Sequence, residues 1–350
     1  MFFASDNSSG VPAKVLDALT RANDGYALGY GADAIMDRVR IRIRELFEAP
    51  EAAVYLVGTG TAANALALAT FCPPWGAVYC HRVAHIEEDE CGAPEFYTAG
   101  AKLVLLDGEH GKVTPQSLES KLQNAAPSGV HNIQKGMLSL TNLTETGTRY
   151  SVAEIATLAG IARAHDLPVH LDGARFANAL VAEGCTPADM TWRAGVDVVS
   201  FGGTKNGLMG VEAVVIFDPA KAWEFELRRK RGGHLVSKHR FLSAQMEAFL
   251  EDDLWLSLAR HANSMAARIE AGLAALPATS LLHPREGNML FATFPRAAHR
   301  RLRAAGAAYY DWPGANSLEG DPAEGLSARL VASWSTTGDL VDRFLEHVAG

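Results

Sequence analysis

The sequence predicts an α/β protein. A mostly parallel sheet forms a large domain over residues 1–235, with its N-terminal segment, and a small α+β domain follows over residues 236–350. Three observations carry this. Short β-branched apolar runs alternate with longer segments of helical period in the first part of the chain. The alternation stops after residue 235, where two long helical stretches precede mixed strands and helices. The length, 350 residues, suits one large domain with a smaller companion.

Taken in order, Ala53–Val57 reads as a strand and Thr61–Phe71 as the helix after it. Ala77–Cys80, Leu103–Leu106 and Met137–Thr141 are short strands. Ser151–Asp166 is a helix, with Ser151 as N-cap and Glu154 at the capping-box position. Val169–Asp172, Val198–Phe201 and Ala213–Phe217 are further strands. The second domain has helices at Lys238–Leu250 and Leu254–Leu276, a strand at Met289–Phe294 and a helix after Pro295. A strand at Ala328–Trp334 and a closing helix from Asp339 complete it.

Composition narrows the function classes. The net charge is −8 with no basic block, which gives nucleic-acid binding no support. The N-terminus has no basic n-region, and no window approaches ~18 uninterrupted apolar residues, so neither a signal peptide nor a membrane helix is expected. Cys72, Cys80, Cys91 and Cys185 have no CxxC spacing. Reduced thiols and a cytoplasmic setting follow. No metal is assigned.

Four short stretches carry possible chemistry. "GTGTAAN" (58–64) joins a strand to a helix; it is either a phosphate seat of backbone N–H groups or an ordinary turn. It fits neither GxGxxG nor a P-loop. "HLDGAR" (170–175) ends a strand with Asp172 and turns through Arg175. It suits a carboxylate facing a cationic ring nitrogen, or a solvated ion pair. In "AHIEEDECGA" (84–93), His85 suits stacking or proton transfer, and the acids after it read as a solvated helix face. In "SARLVASW" (327–334), Arg329 enters an apolar strand, as a carboxylate fork or as an edge residue in water.

The most unusual stretch is "VDVVSFGGTKNG" (196–207), which ends a buried strand with Lys205 among glycines. Glycine removes bulk where something must approach the backbone closely. Asp172 and Lys205 lie 33 residues apart, room for one helix and one strand. A cofactor with a phosphate, a basic ring nitrogen and an aldehyde uses every one of these parts. Pyridoxal 5′-phosphate is that cofactor, with lysine as its Schiff-base partner and aspartate on the pyridinium nitrogen.

These motifs, with "FASDN" (3–7), "GTAAN" (60–64), "DGARF" (172–176) and "FGGTKNG" (201–207), resemble the low-specificity L-threonine aldolases. These belong to the β-eliminating lyase group of fold-type I pyridoxal phosphate enzymes. The resemblance implies a fold-type I architecture and cleavage of L-threonine, L-allo-threonine and related β-hydroxy-α-amino acids to glycine and an aldehyde. It implies Lys205 as the cofactor lysine, with Asp172 at the ring nitrogen and His85 on the ring. Gly60, Thr61 and Thr204 fall at the phosphate. Ser5, Arg175 and Arg329 fall at the substrate carboxylate, with Arg175 also in the cofactor set. His131 matches a second histidine near the β-hydroxyl, so the catalytic base is His85, His131 or a water. A homotetramer is implied, with Tyr30 placed where a neighbouring subunit contributes. Ala32 and Thr204 depart from the acid and the serine that many members have. The alternatives are a phenylserine-preferring aldolase, a pyridoxal phosphate-dependent β-eliminating lyase, and a non-catalytic module seating a nucleotide phosphate in "GTGT".

Overall fold

Seven apolar runs pair into one sheet, seen in a computed structural model that describes residues 1–125 and 129–350. They are β1 (Ala53–Val57), β2 (Gly76–His81), β3 (Lys102–Leu106), β4 (Gln134–Thr141), β5 (Val169–Gly173), β6 (Val198–Gly202) and β7 (Glu212–Ile216). Their order is β1-β7-β6-β5-β4-β2-β3. Only β7 runs against its neighbours, β1 and β6; every other pairing is parallel. Strands β1, β2, β5, β6 and β7 are buried at every position, which is why they read as unbroken apolar runs. Because β1, β5 and β6 share a direction, their C-terminal ends open on one edge of the sheet. In open α/β sheets that edge is where ligands bind.

The capping box at Ser151 forms with both bonds, and the helix it starts covers Val152–Arg163. The sheet is entered by a 12-residue helix, Gly60–Phe71, capped by Thr59. Two early helices, Ala13–Ala22 and Ala34–Leu46, have no counterpart in the sequence reading.

A second, antiparallel sheet contains β8 (Ser280–Leu281), β9 (Met289–Pro295), β10 (Tyr310–Asp311) and β11 (Gly325–Val331), in the order β10-β11-β9-β8. Strand β11 lies three residues earlier than the expected Ala328–Trp334. The chain turns at Ser333, whose N–H donates to Thr336 Oγ1, and the Trp334 indole leaves to reach Gly10 O.

Two apolar cores meet along the helix Leu254–Ala274. Its Trp255, Leu258 and Ala259 join the core of the large sheet; its Ala266, Ile269 and Leu273 join that of the small one. The helix Arg240–Leu250 also packs with the large sheet, although it follows residue 235. The N-terminus is drawn into the small unit. Phe3 is buried there, and its backbone bonds Ala308 O and the Val331 N–H. No helix among the described residues is long and apolar enough to cross a membrane.

Under the site edge, His170 lies fully buried between Ser139 of β4 and Ser200 of β6, at 2.9 and 3.1 Å. Burial pushes its imidazole down to about 4, against the pull of Asp172. An unfolded histidine titrates near 6.5, so the unfolded chain binds the extra proton first. Stability from this residue is present above that pH and is lost as pH falls toward 4, by roughly 3 kcal/mol. The urea midpoint is therefore expected to fall across this window, and to fall less in His170→Gln; equal pH slopes for the two proteins would contradict the assignment.

Candidate active site

Asp172 sits at the C-terminal end of β5 and is buried. Its Oδ1 accepts the Ala174 N–H at 3.0 Å, and its Oδ2 accepts from Asn64 Nδ2 at 2.9 Å. Asn64 comes from the first helix after β1, and the same nitrogen donates to Glu90 Oε1 at 2.8 Å. Glu90 Oε1 is in turn 2.8 Å from His85 Nδ1. One ligand atom from each of His85, Glu90 and Asp172 lies within 4.8 Å of the others. Glu90 is thus no part of a solvated helix face: it is buried, and the chain turns inward at Cys91 and Gly92, both with positive φ.

Burial alone would push the His85 imidazole down. The Glu90 hydrogen bond and the Asp172 charge outweigh it, and the net direction is up. For Glu90, burial outweighs the bonds from His85 and Asn64, so its carboxyl also sits above the usual range. Both groups of the pair therefore hold a proton to higher pH than they would in water.

Lys205 follows β6 in the turn Thr204–Asn206 and is half-buried. Its two preceding glycines are required by the protein itself. A Cβ at Gly202 would lie 2.4 Å from Ala174 O, and one at Gly203 would lie 2.6 Å from Val211 O. The lysine's charge acts on Asp6, His85 and Glu212. Thr204 Oγ1 accepts the Val211 N–H at 3.2 Å, and Glu212 Oε2 accepts the Gly203 N–H just before it at 2.6 Å.

Gly60 and Thr61 occupy the first turn of their helix, where backbone N–H groups have no intrahelical acceptor. A Cβ at Gly58 or Gly60 would meet nothing within 4 Å, so the space before this turn is open.

Arg175 is fully buried against Asp6. Nε and Nη2 donate to Oδ2 and Oδ1 at 2.7 and 3.1 Å, and Asn288 Nδ2 adds a third bond at 3.0 Å. Arg175 and then Lys205 hold the Asp6 carboxyl low despite its burial. Ser5 caps the turn that carries Asp6 by accepting the Asn7 N–H. Arg329 comes from β11, donates Nη2 to Ala4 O at 3.3 Å and lies over the Tyr310 ring. Its Nε is buried without a partner. Burial, then the facing charge of Arg175, pushes its guanidinium down. Glu145, after β4, acts on His85, Arg175 and Arg329 through its charge.

Two expected residues stay apart from this group within one chain. Tyr30 is exposed, bonded through its N–H to Ser237 O and beneath Lys230. His131 is exposed ahead of β4, at the opposite end of that strand from Thr141, which pairs with Asp172. At about 3.3 Å per residue the strand separates them by roughly 23 Å.

The gathered groups fit pyridoxal phosphate. There is a lysine, a buried carboxylate for a ring nitrogen and an open helix N-terminus for a phosphate. The orphaned Asn64 Oδ1, Glu90 Oε2 and Arg329 Nε mark polar demand that the protein leaves unmet. Residues 3–295 match the family described as beta-eliminating lyase. The chain belongs to this family. It is 41% identical to a low specificity L-threonine aldolase of Pseudomonas aeruginosa over 337 residues, 95% of this chain and 93% of the relative. A second enzyme of that description, from another Pseudomonas, is 39% identical over 334 residues, again 95% and 93%. In three dimensions the chain is similar to a threonine aldolase of Leishmania major, with a TM-score of 0.91 and 31% identity, covering 99% of this chain and 98% of that one. The beta-eliminating lyase fold of this chain is thus the expected fold-type I architecture.

Asp6, Asn64, Glu90, Glu145, Glu212 and Asn288 are site groups that the sequence reading did not assign. Asn64 alone carried a usable signal: a polar residue in an otherwise apolar helix, one turn after Gly60. Glu90→Gln removes the charge that sustains the His85 proton. Burial then prevails, so the His85 ring is expected to titrate lower, as followed by NMR of its carbon-bound protons; an unmoved titration would mean that another group sets it.

Proposed function

We propose that the protein is a pyridoxal 5′-phosphate-dependent aldolase that cleaves L-threonine, L-allo-threonine and related β-hydroxy-α-amino acids to glycine and an aldehyde. One observation carries the substrate class. Arg329 lies within reach of the Arg175 charge, and its Nε is buried with no acceptor. Asp6 already neutralises Arg175. Arg329 is therefore the fork left for an incoming carboxylate. The relatives' names point the same way.

When bound, the cofactor supplies an aldehyde for amines and a ring that accepts the electrons of the breaking Cα–Cβ bond. Lys205 would hold it through Nζ, and Gly60 and Thr61 would hold its phosphate through their N–H groups. Asp172 would keep a proton on its ring nitrogen. Asn64 steadies Asp172, and the Ala174 N–H fixes the other oxygen. Arg329, with the free end of Arg175 and Ser5, orients the substrate carboxylate so that Cα–Cβ is the bond set to break. In this reading His85, held by Glu90 at 2.8 Å, would take the β-hydroxyl proton directly or through a water, and Glu90 would balance the resulting charge. His131 and Tyr30 would join such a site only from a second copy, in keeping with a homotetramer built from dimers. Free thiols at all four cysteines support a cytoplasmic setting.

Incubation with L-threonine followed by assay of four products tests the reaction. Glycine and acetaldehyde are expected; dominant 2-oxobutanoate and ammonia would replace cleavage by elimination. Lys205→Ala should lose the borohydride-trappable link to the cofactor along with turnover, and unchanged labelling would dismiss Lys205. Arg329→Lys keeps the charge but loses the fork. A fall of roughly 10- to 100-fold in kcat/KM is expected for threonine, with little change for its methyl ester. Equal losses for acid and ester would remove Arg329 from the carboxylate.

A further inference from the structure

The antiparallel strand β7 opens with a glutamate. Glu212 is 5% exposed and lies between Val57 of β1 and Gly202 of β6. Its Oε2 accepts the Gly203 N–H at 2.6 Å, and the neighbouring Thr204 also favours its ionised form. Gly203 is the N-cap position of the turn that carries Lys205, and it has no side chain to cap with. None could be added, because a Cβ there would strike Val211 O and Leu208. The cap comes instead from the neighbouring strand, whose carboxylate takes the Gly203 N–H. Thr204 Oγ1 braces the same turn by accepting the Val211 N–H at 3.2 Å.

A buried carboxylate without charged company would be protonated. Here burial outweighs the Gly203 and Thr204 hydrogen bonding and the Lys205 charge, and the carboxyl sits at about 7. The turn beyond is closed by Gly207 at φ +107, and Asn206 Nδ2 ties it to Trp255 O at 2.8 Å. The lysine backbone is thus clamped on both sides, and the one acidic clamp is Glu212.

We propose that Glu212 is a positioning residue for Lys205, fixing the lysine-bearing turn from β7 and presenting a negative charge to its ammonium. This rests on Lys205 being the cofactor lysine. Thr204 then serves the same turn, its Oγ1 accepting the Val211 N–H.

The test uses the full chain as wild type, Glu212→Gln and Glu212→Asp. Acylation of Lys205 by acetic anhydride at mildly alkaline pH, after removal of the cofactor, is compared by mass spectrometry with that of the exposed Lys102. Glu212→Gln should raise the Lys205 rate several-fold relative to Lys102, and Glu212→Asp, which keeps the charge, should raise it less. In the loaded enzyme kcat should fall about tenfold in Glu212→Gln with a smaller change in KM. Lys205 rates that coincide in all three proteins overturn the proposal, as does a Glu212→Asp rate equal to that of Glu212→Gln. If Glu212→Gln does not fold, a Glu212→Asp rate above wild type supports the proposal and one equal to wild type overturns it. Borohydride trapping is read separately. A cofactor found on another lysine defeats the reading of Lys205 but leaves the acylation result standing.

Discussion

The site depends on one buried ion pair. Asp6 and Arg175 meet through two hydrogen bonds at full burial, and Asn288 adds a third. Asp6 arrives on the N-terminal segment, Arg175 on the turn after β5, and Asn288 just before β9. Three parts of the chain that are far apart in sequence therefore converge on one carboxylate. Asn288 also donates to Ala332 O beyond β11, so the strand that brings Arg329 is tied to the same point. Taking two charges out of water is costly, and the geometry must offset that cost with several bonds at once. It does so here, and the Lys205 charge helps to keep Asp6 ionised.

Charge alternates outward from that pair. Arg175 and Arg329 repel each other, Asp6 relieves one of them, and the other keeps a buried donor in need of an acceptor. On the opposite side Asp172, Asn64, Glu90 and His85 form a continuous hydrogen-bonded chain. Lys205 stands between these groups, with Glu212 behind its turn. The groups so gathered suit a phosphate, a ring nitrogen, an amine and a carboxylate. Each of these is a binding task, and the chemistry follows from holding one bond of the substrate in a set orientation.

The glycines around Lys205 have a nearer reason than a ligand. They suggested that a ligand approaches the backbone. The closest neighbours of the missing Cβ atoms are instead Ala174 and Val211, which belong to the protein. Gly58 and Gly60 fit the original reason better, since open space lies before them. Glu90 shows the reverse failure. Its acidic run has the composition of a solvated face, and only the turn at Cys91 and Gly92 brings its carboxylate under His85.

What the sequence determined by itself was local. Strand and helix periods, the Ser151 capping box, the strand-end Asp172 and the glycine-flanked Lys205 all follow from neighbours within a few residues. Those interactions act at short range, so their pattern is written in consecutive letters. The tertiary structure decided the partners: Asp6 for Arg175, Asn64 for Asp172, Glu212 for the Lys205 turn, and the separation of Tyr30 and His131 from the rest. These depend on which strand lies beside which. The pairing of β7 against β6 and the docking of the N-terminus on β11 are set by burial of whole faces. No single residue records that, because the hydrophobic effect that drives it has no direction and no address.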